Sequence, residues 1–136
     1  MDTADDLILV VDDDLAVRES LKFSLELEGL TVQACASGAE LLDHPALTRA
    51  SCLVLDYKMP GRDGLEVLDR LASRGLPLPV IIVTGYAVAP LRRRAAAKGV
   101  RFLLEKPLSD STLLDTIRGV LSRRASPPPS DQGVAT

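Results

Sequence analysis

The chain has 136 residues, of which 46% are hydrophobic and only 3% aromatic, and its formal net charge is −3. This length suits one domain with an aliphatic core, and the slight negative charge argues against general attraction to DNA or anionic lipid. No apolar run approaches the ~20 residues that a membrane span needs. We therefore expect a cytoplasmic protein that binds neither membranes nor, directly, nucleic acid.

Five short apolar segments alternate with helical patterns along the chain. Residues 7–11, 52–55 and 80–83 are apolar at every position, which is typical of parallel strands covered on both faces. Residues 31–35 and 100–104 each contain a polar residue and are predicted as edge strands. Two cysteines, Cys35 and Cys52, lie in these segments and are predicted to be buried, reduced thiols.

Helix signals separate the strands. The first helix is predicted to begin at Leu15, with Asp14 as its N-cap, and to end at Gly29. Ser37 and Glu40 form a capping box for the second helix. The third and fifth helices are predicted from apolar residues at helical spacing: Leu65, Leu68 and Leu71 in the third, and Leu113, Ile117 and Leu121 in the fifth. The fourth helix is predicted to start at Pro90 and to end before Gly99. The alternation predicts an α/β fold, a doubly wound five-stranded parallel sheet of order 2-1-3-4-5 that is (βα)5 and flavodoxin-like.

Charged and hydroxyl side chains follow the predicted strands. Asp12 and Asp13 follow the first strand, Asp56 the third, Thr84 the fourth and Lys106 the fifth. Ligands of open α/β sheets gather at the carboxyl ends of strands, so we expect these side chains to converge. Carboxylates repel phosphate unless a divalent cation lies between them, and Mg²⁺ is bound in this way by carboxylates, waters and phosphate oxygens. The sequence therefore predicts a magnesium-assisted phosphate site.

Four segments occur in order on these strands: "VVDDD", "LVLDYKMPGRDG", "VTGYA" and "FLLEKP". Together they resemble the receiver domain of two-component response regulators, over about residues 7–124. The "VVDDDLAVRESL" and "VTGYA" segments resemble the receivers of nitrogen-fixation regulators in particular. We expect a receiver domain over residues 5–124. Residues 125–136, with three prolines and no apolar period, are expected to form a disordered tail or linker.

The resemblance implies a role for each matching residue. Asp56 would be the phosphoacceptor and would take a phosphoryl group from the phosphohistidine of a sensor histidine kinase or phosphotransfer protein. Mg²⁺ would be held by Asp12, Asp13, Asp56 and the backbone carbonyl of Lys58, directly by Asp13 and through water by Asp12. The third aspartate of the run, Asp14, is instead the helix N-cap.

The remaining implied roles concern the phosphoryl oxygens. Thr84 would hydrogen-bond one of these oxygens, Lys106 would pair with another, and Gly85 would keep the approach open. Members of the family often have a cis peptide bond at the position of Pro107.

Three positions depart from the family or tune its chemistry. Leu103 stands where many receivers carry an aromatic switch residue, and Phe102 is predicted to face the other side of the strand. Lys58 and Tyr86 occupy positions that commonly tune hydrolysis of the phosphoryl group. We expect slow autodephosphorylation.

The segment "PLRRRAAAKG" is the predicted fourth helix, with Leu91 as its one large apolar anchor. Such weak packing predicts a mobile helix. The helix carries four basic residues: Arg92, Arg93, Arg94 and Lys98. These residues either form a solvated face or, together with the fifth strand and fifth helix, form a docking surface that phosphorylation shifts. Both interpretations stay open. The docking surface would serve a downstream protein or a homodimer.

The sequence also allows functions other than that of a receiver. The receiver would not be an enzyme beyond its own phosphorylation and autodephosphorylation. A haloacid-dehalogenase-like phosphatase would use Asp12 and Asp14 as its acid pair, although Ala16 departs from that motif and a cap domain does not fit this length. A non-phosphorylated scaffold of the same fold is the third alternative. No helix-turn-helix pattern follows Arg124, and the chain reads equally as a stand-alone receiver or as the front of a longer regulator. His44, Asp63 and Gly64 are given no chemical role.

Overall fold

A computed structural model describes residues 6–59 and 63–125. Strands and helices alternate along these residues. The strands are β1 (Leu7–Val11), β2 (Thr31–Cys35), β3 (Cys52–Asp56), β4 (Val80–Thr84) and β5 (Phe102–Glu105). The helices are α1 (Leu15–Leu27), α2 (Gly38–Leu42), α3 (Gly64–Ser73), α4 (Ala89–Ala97) and α5 (Asp110–Ala125). Within the described residues, no helix has both the length and the apolar character to cross a membrane.

The five strands form one parallel sheet of order β2-β1-β3-β4-β5, which confirms the predicted topology. The pairing register aligns the strand ends. Val11 lies opposite Leu55, and Asp56 lies opposite Val83. The carboxyl ends of β1, β3 and β4 therefore meet at one edge of the sheet, and the loops that follow them start side by side.

The sheet divides the core into two halves. Leu7, Leu9 and Val11 face the half that contains α2, α3 and α4, whereas Ile8 and Val10 face the half that contains α1 and α5. Because helices cover both faces, both sets of side chains are buried, and a strand in this position is apolar throughout. This coverage explains the uninterrupted apolar segments of the sequence.

The boundary prediction for β5 is wrong by two residues at its start. The strand begins at Phe102, not at residue 100, because the chain before it is still completing the C-terminus of α4. Gly99 has a φ of +88°, and the amide of Val100 donates to the carbonyl oxygen of Ala95 at 3.0 Å. This glycine-based helix end delays the strand.

The helix caps follow the sequence signals. Asp14 accepts hydrogen bonds from the amides of Ala16 and Val17 and caps α1, as predicted. Ser37 caps α2 by accepting from the amide of Glu40, as predicted for the capping box. Helix α5 runs through residue 125, while the rest of the predicted tail lies outside the described residues.

The first residue of α3, Gly64, packs directly against the end of β3. Its amide donates to the carbonyl oxygen of Tyr57 at 2.7 Å. A Cβ atom at this position would lie 3.1 Å from the Tyr57 Cα and 3.3 Å from the Asp56 carbonyl oxygen. Both neighbours are backbone atoms that cannot swing aside. A methyl group here would force the backbone to shift by a few tenths of an ångström, so the close approach favours glycine.

We expect Gly64→Ala to lower the free energy of unfolding by about 1 kcal/mol or more, because the added methyl group overpacks the backbone beside Asp56. The matched control is Gly119→Ala in α5, where no atom lies within 4 Å of the added Cβ. There the exchange should raise stability by about 0.5–1 kcal/mol through helix propensity. Urea unfolding measures both values, and stabilisation by both substitutions would contradict the packing argument.

Candidate functional site

The predicted site residues converge at the carboxyl edge of the sheet. Asp12 follows β1, Asp56 ends β3 and Thr84 ends β4; all three are buried. Asp13 is exposed beside them, and Lys106 follows β5 and is half-buried. The sequence order alone placed these residues on separate strands, and the parallel register brings them together.

Three carboxylates form the centre of the site. One oxygen from each of Asp12, Asp13 and Asp56 lies within 4.8 Å of the others. Hard carboxylate oxygens are the donors that Mg²⁺ prefers, so this donor set fits the ion. One oxygen of Asp12 already accepts a hydrogen bond from the amide of Asp14 at 2.9 Å. Direct coordination by Asp13 and water-mediated coordination by Asp12 stay predictions.

Lys106 lies between two of the acids. Its Nζ is 3.5 Å from Asp12 Oδ2 and 3.5 Å from Asp56 Oδ1. The backbone amide of Lys106 donates to the carbonyl oxygen of Thr84 at 2.7 Å, which ties the start of the β5–α5 loop to the end of β4. The Lys106–Pro107 peptide bond is cis, as the resemblance implied. The lysine thus supplies positive charge inside the carboxylate cluster.

The ionisation of Asp56 reflects this balance. Burial raises the pKa of its carboxyl group above the ordinary value of 3.8, since the charged form is poorly solvated. The ammonium of Lys106 lowers the pKa, and the charges of Asp12 and Asp13 raise it again. Burial is the largest cause, so the net shift is upward.

Thr84 is bound to the β4–α4 loop in this structure. Its Oγ1 accepts a hydrogen bond from the amide of Tyr86 at 3.2 Å. The Tyr86 ring is 75% exposed, and Gly85 between them is exposed as well. The hydroxyl oxygen thus holds the loop in this structure, and its contact with a phosphoryl oxygen stays a prediction.

The other predicted positions surround the site. Leu103 packs in the core half that contains α4, and Phe102 packs in the opposite half, as predicted. Lys58 is exposed, and its predicted role through the backbone carbonyl stays a prediction. Tyr57, directly after Asp56, is half-buried against the α3 side of the core.

The two cysteines and the histidine of the chain do not belong to the carboxylate cluster. Cys35 and Cys52 are buried and form no disulfide, and burial raises the pKa of the Cys35 thiol to about 11. His44 is half-buried, and its Nδ1 accepts a hydrogen bond from the amide of Ala46 at 3.0 Å. It stabilises the chain after α2 and lies apart from the acidic cluster.

Sequence reasoning missed two residues that shape the site through the backbone. One is Gly64, which lets α3 approach Asp56. The other is Arg18, whose Nη1 donates to the Asp12 carbonyl oxygen at 2.9 Å. A signal for Arg18 existed: it is a charged residue directly after Val17, on the first turns of a helix whose start is already fixed by Asp14.

The raised pKa of Asp56 predicts a pH-dependent stability difference in magnesium-free buffer. A carboxyl group whose pKa is higher folded than unfolded favours the folded state most when it is protonated, and this contribution is lost as pH rises through the folded pKa. We therefore expect Asp56→Asn to have a higher urea midpoint than the wild type at pH 7, with the gap shrinking as pH falls towards about 4. A wild type more stable than the variant at pH 7 would show that pairing with Lys106 outweighs burial.

Comparison with known proteins agrees with this geometry. A family model described as the response regulator receiver domain matches residues 8–118. The transcriptional regulatory protein FixJ of Azorhizobium caulinodans is 43% identical over 116 residues, which are 85% of this chain and 55% of that protein. The response regulator MprA of Mycobacterium avium is 42% identical over 128 residues, which are 94% of this chain and 56% of that protein. The chain thus spans little more than half the length of these curated relatives.

Solved structures show the same fold. A receiver domain protein, CheY-like, from Methanospirillum hungatei superposes with a TM-score of 0.80 at 30% identity, covering 88% of this chain and 96% of that one. The structure titled FixJ-N superposes with a TM-score of 0.77 at 31% identity, covering 88% and 95%. The chain belongs to the family of response regulator receiver domains, the phosphoacceptors of two-component signalling.

Proposed function

We propose that Asp56 is the phosphoacceptor of this receiver and that Mg²⁺ is held by Asp12, Asp13, Asp56 and the backbone carbonyl of Lys58. The observation that carries the proposal is the cluster of three carboxylates with Lys106 between two of them. When bound, Mg²⁺ would offset the carboxylate charge and orient a phosphoryl oxygen. Asp56 lies at the end of a buried central strand, where its position is fixed by the sheet.

The phosphoryl donor is a phosphohistidine of a sensor histidine kinase or phosphotransfer protein. A carboxylate oxygen of Asp56 attacks the phosphorus in line, the phosphorus–nitrogen bond of the donor breaks, and an aspartyl phosphate forms. Lys106 is already 3.5 Å from Asp56 Oδ1 and pairs with a phosphoryl oxygen. The Thr84 hydroxyl leaves the Tyr86 amide to donate to another phosphoryl oxygen, so phosphorylation releases the bond that holds the β4–α4 loop.

The output surface in this proposal is the face formed by α4, β5 and α5. In α4 only Leu91 and Ala95 are buried, and the N-cap residue Val88 makes no side-chain cap. A helix held this weakly can shift when the preceding loop moves. Its exposed arginines give this face a basic surface for a downstream protein or a second copy of the chain: Arg92, Arg93 and Arg94. Leu103 offers no aromatic ring to follow Thr84, so the loop itself carries the shift.

Receiver domains are typically non-enzymatic signalling domains, and we infer that this one performs only its own phosphorylation and dephosphorylation. The phosphatase alternative needs Asp14 as a second catalytic acid. The Asp14 side chain instead accepts hydrogen bonds from the amides of Ala16 and Val17 and caps α1. The scaffold alternative does not account for the gathered carboxylates and Lys106. Both alternatives are therefore weaker than the receiver.

We assign the receiver domain to residues 5–124 and a tail or linker to residues 125–136, supported by the family match over residues 8–118 and the proline-rich end of the sequence. We also propose a cytoplasmic location. The support for it is that neither Cys35 nor Cys52 forms a disulfide, as is usual in a reducing compartment.

Incubation with acetyl phosphate and Mg²⁺ should add one phosphoryl group to the wild-type protein, detected by intact-mass spectrometry. Asp56→Asn should remove the modification, and chelation of the metal should slow it strongly. The matched control is Asp63→Asn, since asparagine also caps helices and can replace the bond that Asp63 accepts from the Glu66 amide. Labelling that persists in Asp56→Asn would refute the assignment.

The exposed Tyr86 ring tests the tuning of hydrolysis. If the ring shields the aspartyl phosphate from attacking water, Tyr86→Ala should shorten the phosphoryl half-life several-fold. The loss of phosphorylated mass after donor removal gives the half-life. Val88→Ala changes another exposed apolar side chain of the same loop and should leave it unchanged. A wild-type half-life of seconds would contradict the expectation of slow autodephosphorylation.

A further inference from the structure

Each polar group of Asp12 that the structure describes has a partner. Its amide donates to the Cys35 carbonyl oxygen at 3.2 Å, and its Oδ1 accepts from the Asp14 amide. Its Oδ2 is 3.5 Å from Lys106 Nζ. Its carbonyl oxygen accepts from Arg18 Nη1 at 2.9 Å. Arg18 is the side chain in this set that the proposed phosphoryl chemistry does not use.

The carbonyl group that Arg18 holds belongs to the peptide unit between Asp12 and Asp13. Because that unit is planar, fixing its oxygen also fixes the amide and the Cα of Asp13, from which the Asp13 side chain leaves the backbone. Among the residues that the structure describes, no hydrogen bond or ion pair restrains the exposed Asp13 carboxylate itself. Its orientation therefore depends on the backbone, and one charged hydrogen bond from α1 holds that backbone.

We propose that Arg18 is a positioning residue for the cation site: by holding the Asp12 carbonyl oxygen, it orients the peptide unit that presents Asp13 to Mg²⁺. This inference rests on the proposed function, because it assumes that Mg²⁺ binds at the acidic cluster. Arg18 is half-buried at the base of the β1–α1 loop, and its charge also lowers the pKa of the neighbouring Cys35 thiol against the effect of burial. The contact that its guanidinium group makes with the loop is the hydrogen bond to the Asp12 carbonyl oxygen.

Positioning and plain electrostatics predict opposite effects of removing Arg18. A positive charge near a cation site repels the cation, so loss of the charge by itself would tighten Mg²⁺ binding. Loss of the backbone anchor would weaken it, because Asp13 would sample directions that do not face the site. The sign of the change therefore separates the two explanations.

Isothermal titration calorimetry with MgCl₂ measures the effect on the full chain. We expect Arg18→Met to weaken Mg²⁺ binding by about five-fold or more, as is usual when the support of a metal ligand is lost. Arg18→Lys keeps a charge and a donor and should fall between Met and the wild type. The matched control is Lys22→Met, which removes one positive charge one turn further along α1, where Lys22 pairs with Glu26. It should leave the affinity within about two-fold of the wild type.

Acetyl phosphate labelling at increasing Mg²⁺ provides a second readout. Arg18→Met should raise the Mg²⁺ concentration for half-maximal rate by the same factor, while the rate at saturating Mg²⁺ stays near that of the wild type. A general loss of structure would lower the saturating rate as well. If Arg18→Met does not fold, weaker binding by Arg18→Lys supports the proposal and unchanged binding overturns it.

The outcomes distinguish this inference from the proposed function. Unchanged or tighter Mg²⁺ binding by Arg18→Met, in a chain whose wild type binds the ion, overturns the positioning role alone. Absence of Mg²⁺ binding by the wild type overturns the cation site, and with it both proposals.

Discussion

The gathering of three carboxylates at one edge of the sheet is the constraint on which the rest of the site depends. Two unit charges ~4 Å apart interact by about 4 kcal/mol at an effective dielectric constant near 20, so such a cluster needs a counter-charge. Lys106 supplies one by lying 3.5 Å from both Asp12 and Asp56. In the proposed function, the remaining negative charge would attract a cation, and the bound cation would make an anionic phosphoryl group acceptable.

The fold divides rigid and movable parts around this cluster. Asp56 ends a strand that is buried along its whole length. Helix α3 buries five of its ten residues and packs in the core half that contains α2, α3 and α4. Helix α4 buries only Leu91 and Ala95. A structural change at Asp56 would therefore leave the sheet in place and move the β4–α4 loop and α4, which are packed less tightly. This difference in packing supports the proposal that α4 belongs to the output surface.

Side-chain patterns were sufficient to predict the topology, the site at the strand ends and the caps at Asp14 and Ser37, because these features depend on residue type and spacing. Arg18 and Gly64 were not predicted, because both act on backbone atoms, which side-chain patterns reveal only indirectly. Arg18 binds a carbonyl oxygen, and Gly64 makes room for the backbone of Tyr57. The start of β5 was misplaced for a similar reason, since the helix end at Gly99 uses backbone bonds that the apolar pattern of residues 100–104 does not reveal.

The two tyrosines of the chain flank the acidic cluster, since Tyr57 directly follows Asp56 and Tyr86 donates its amide to Thr84. The sequence contains no tryptophan. Tyrosine emission therefore originates from two residues that are close in the chain to Asp56 and Thr84, one half-buried and one exposed. The protein carries its own optical probe, and titrations can be followed without an attached dye.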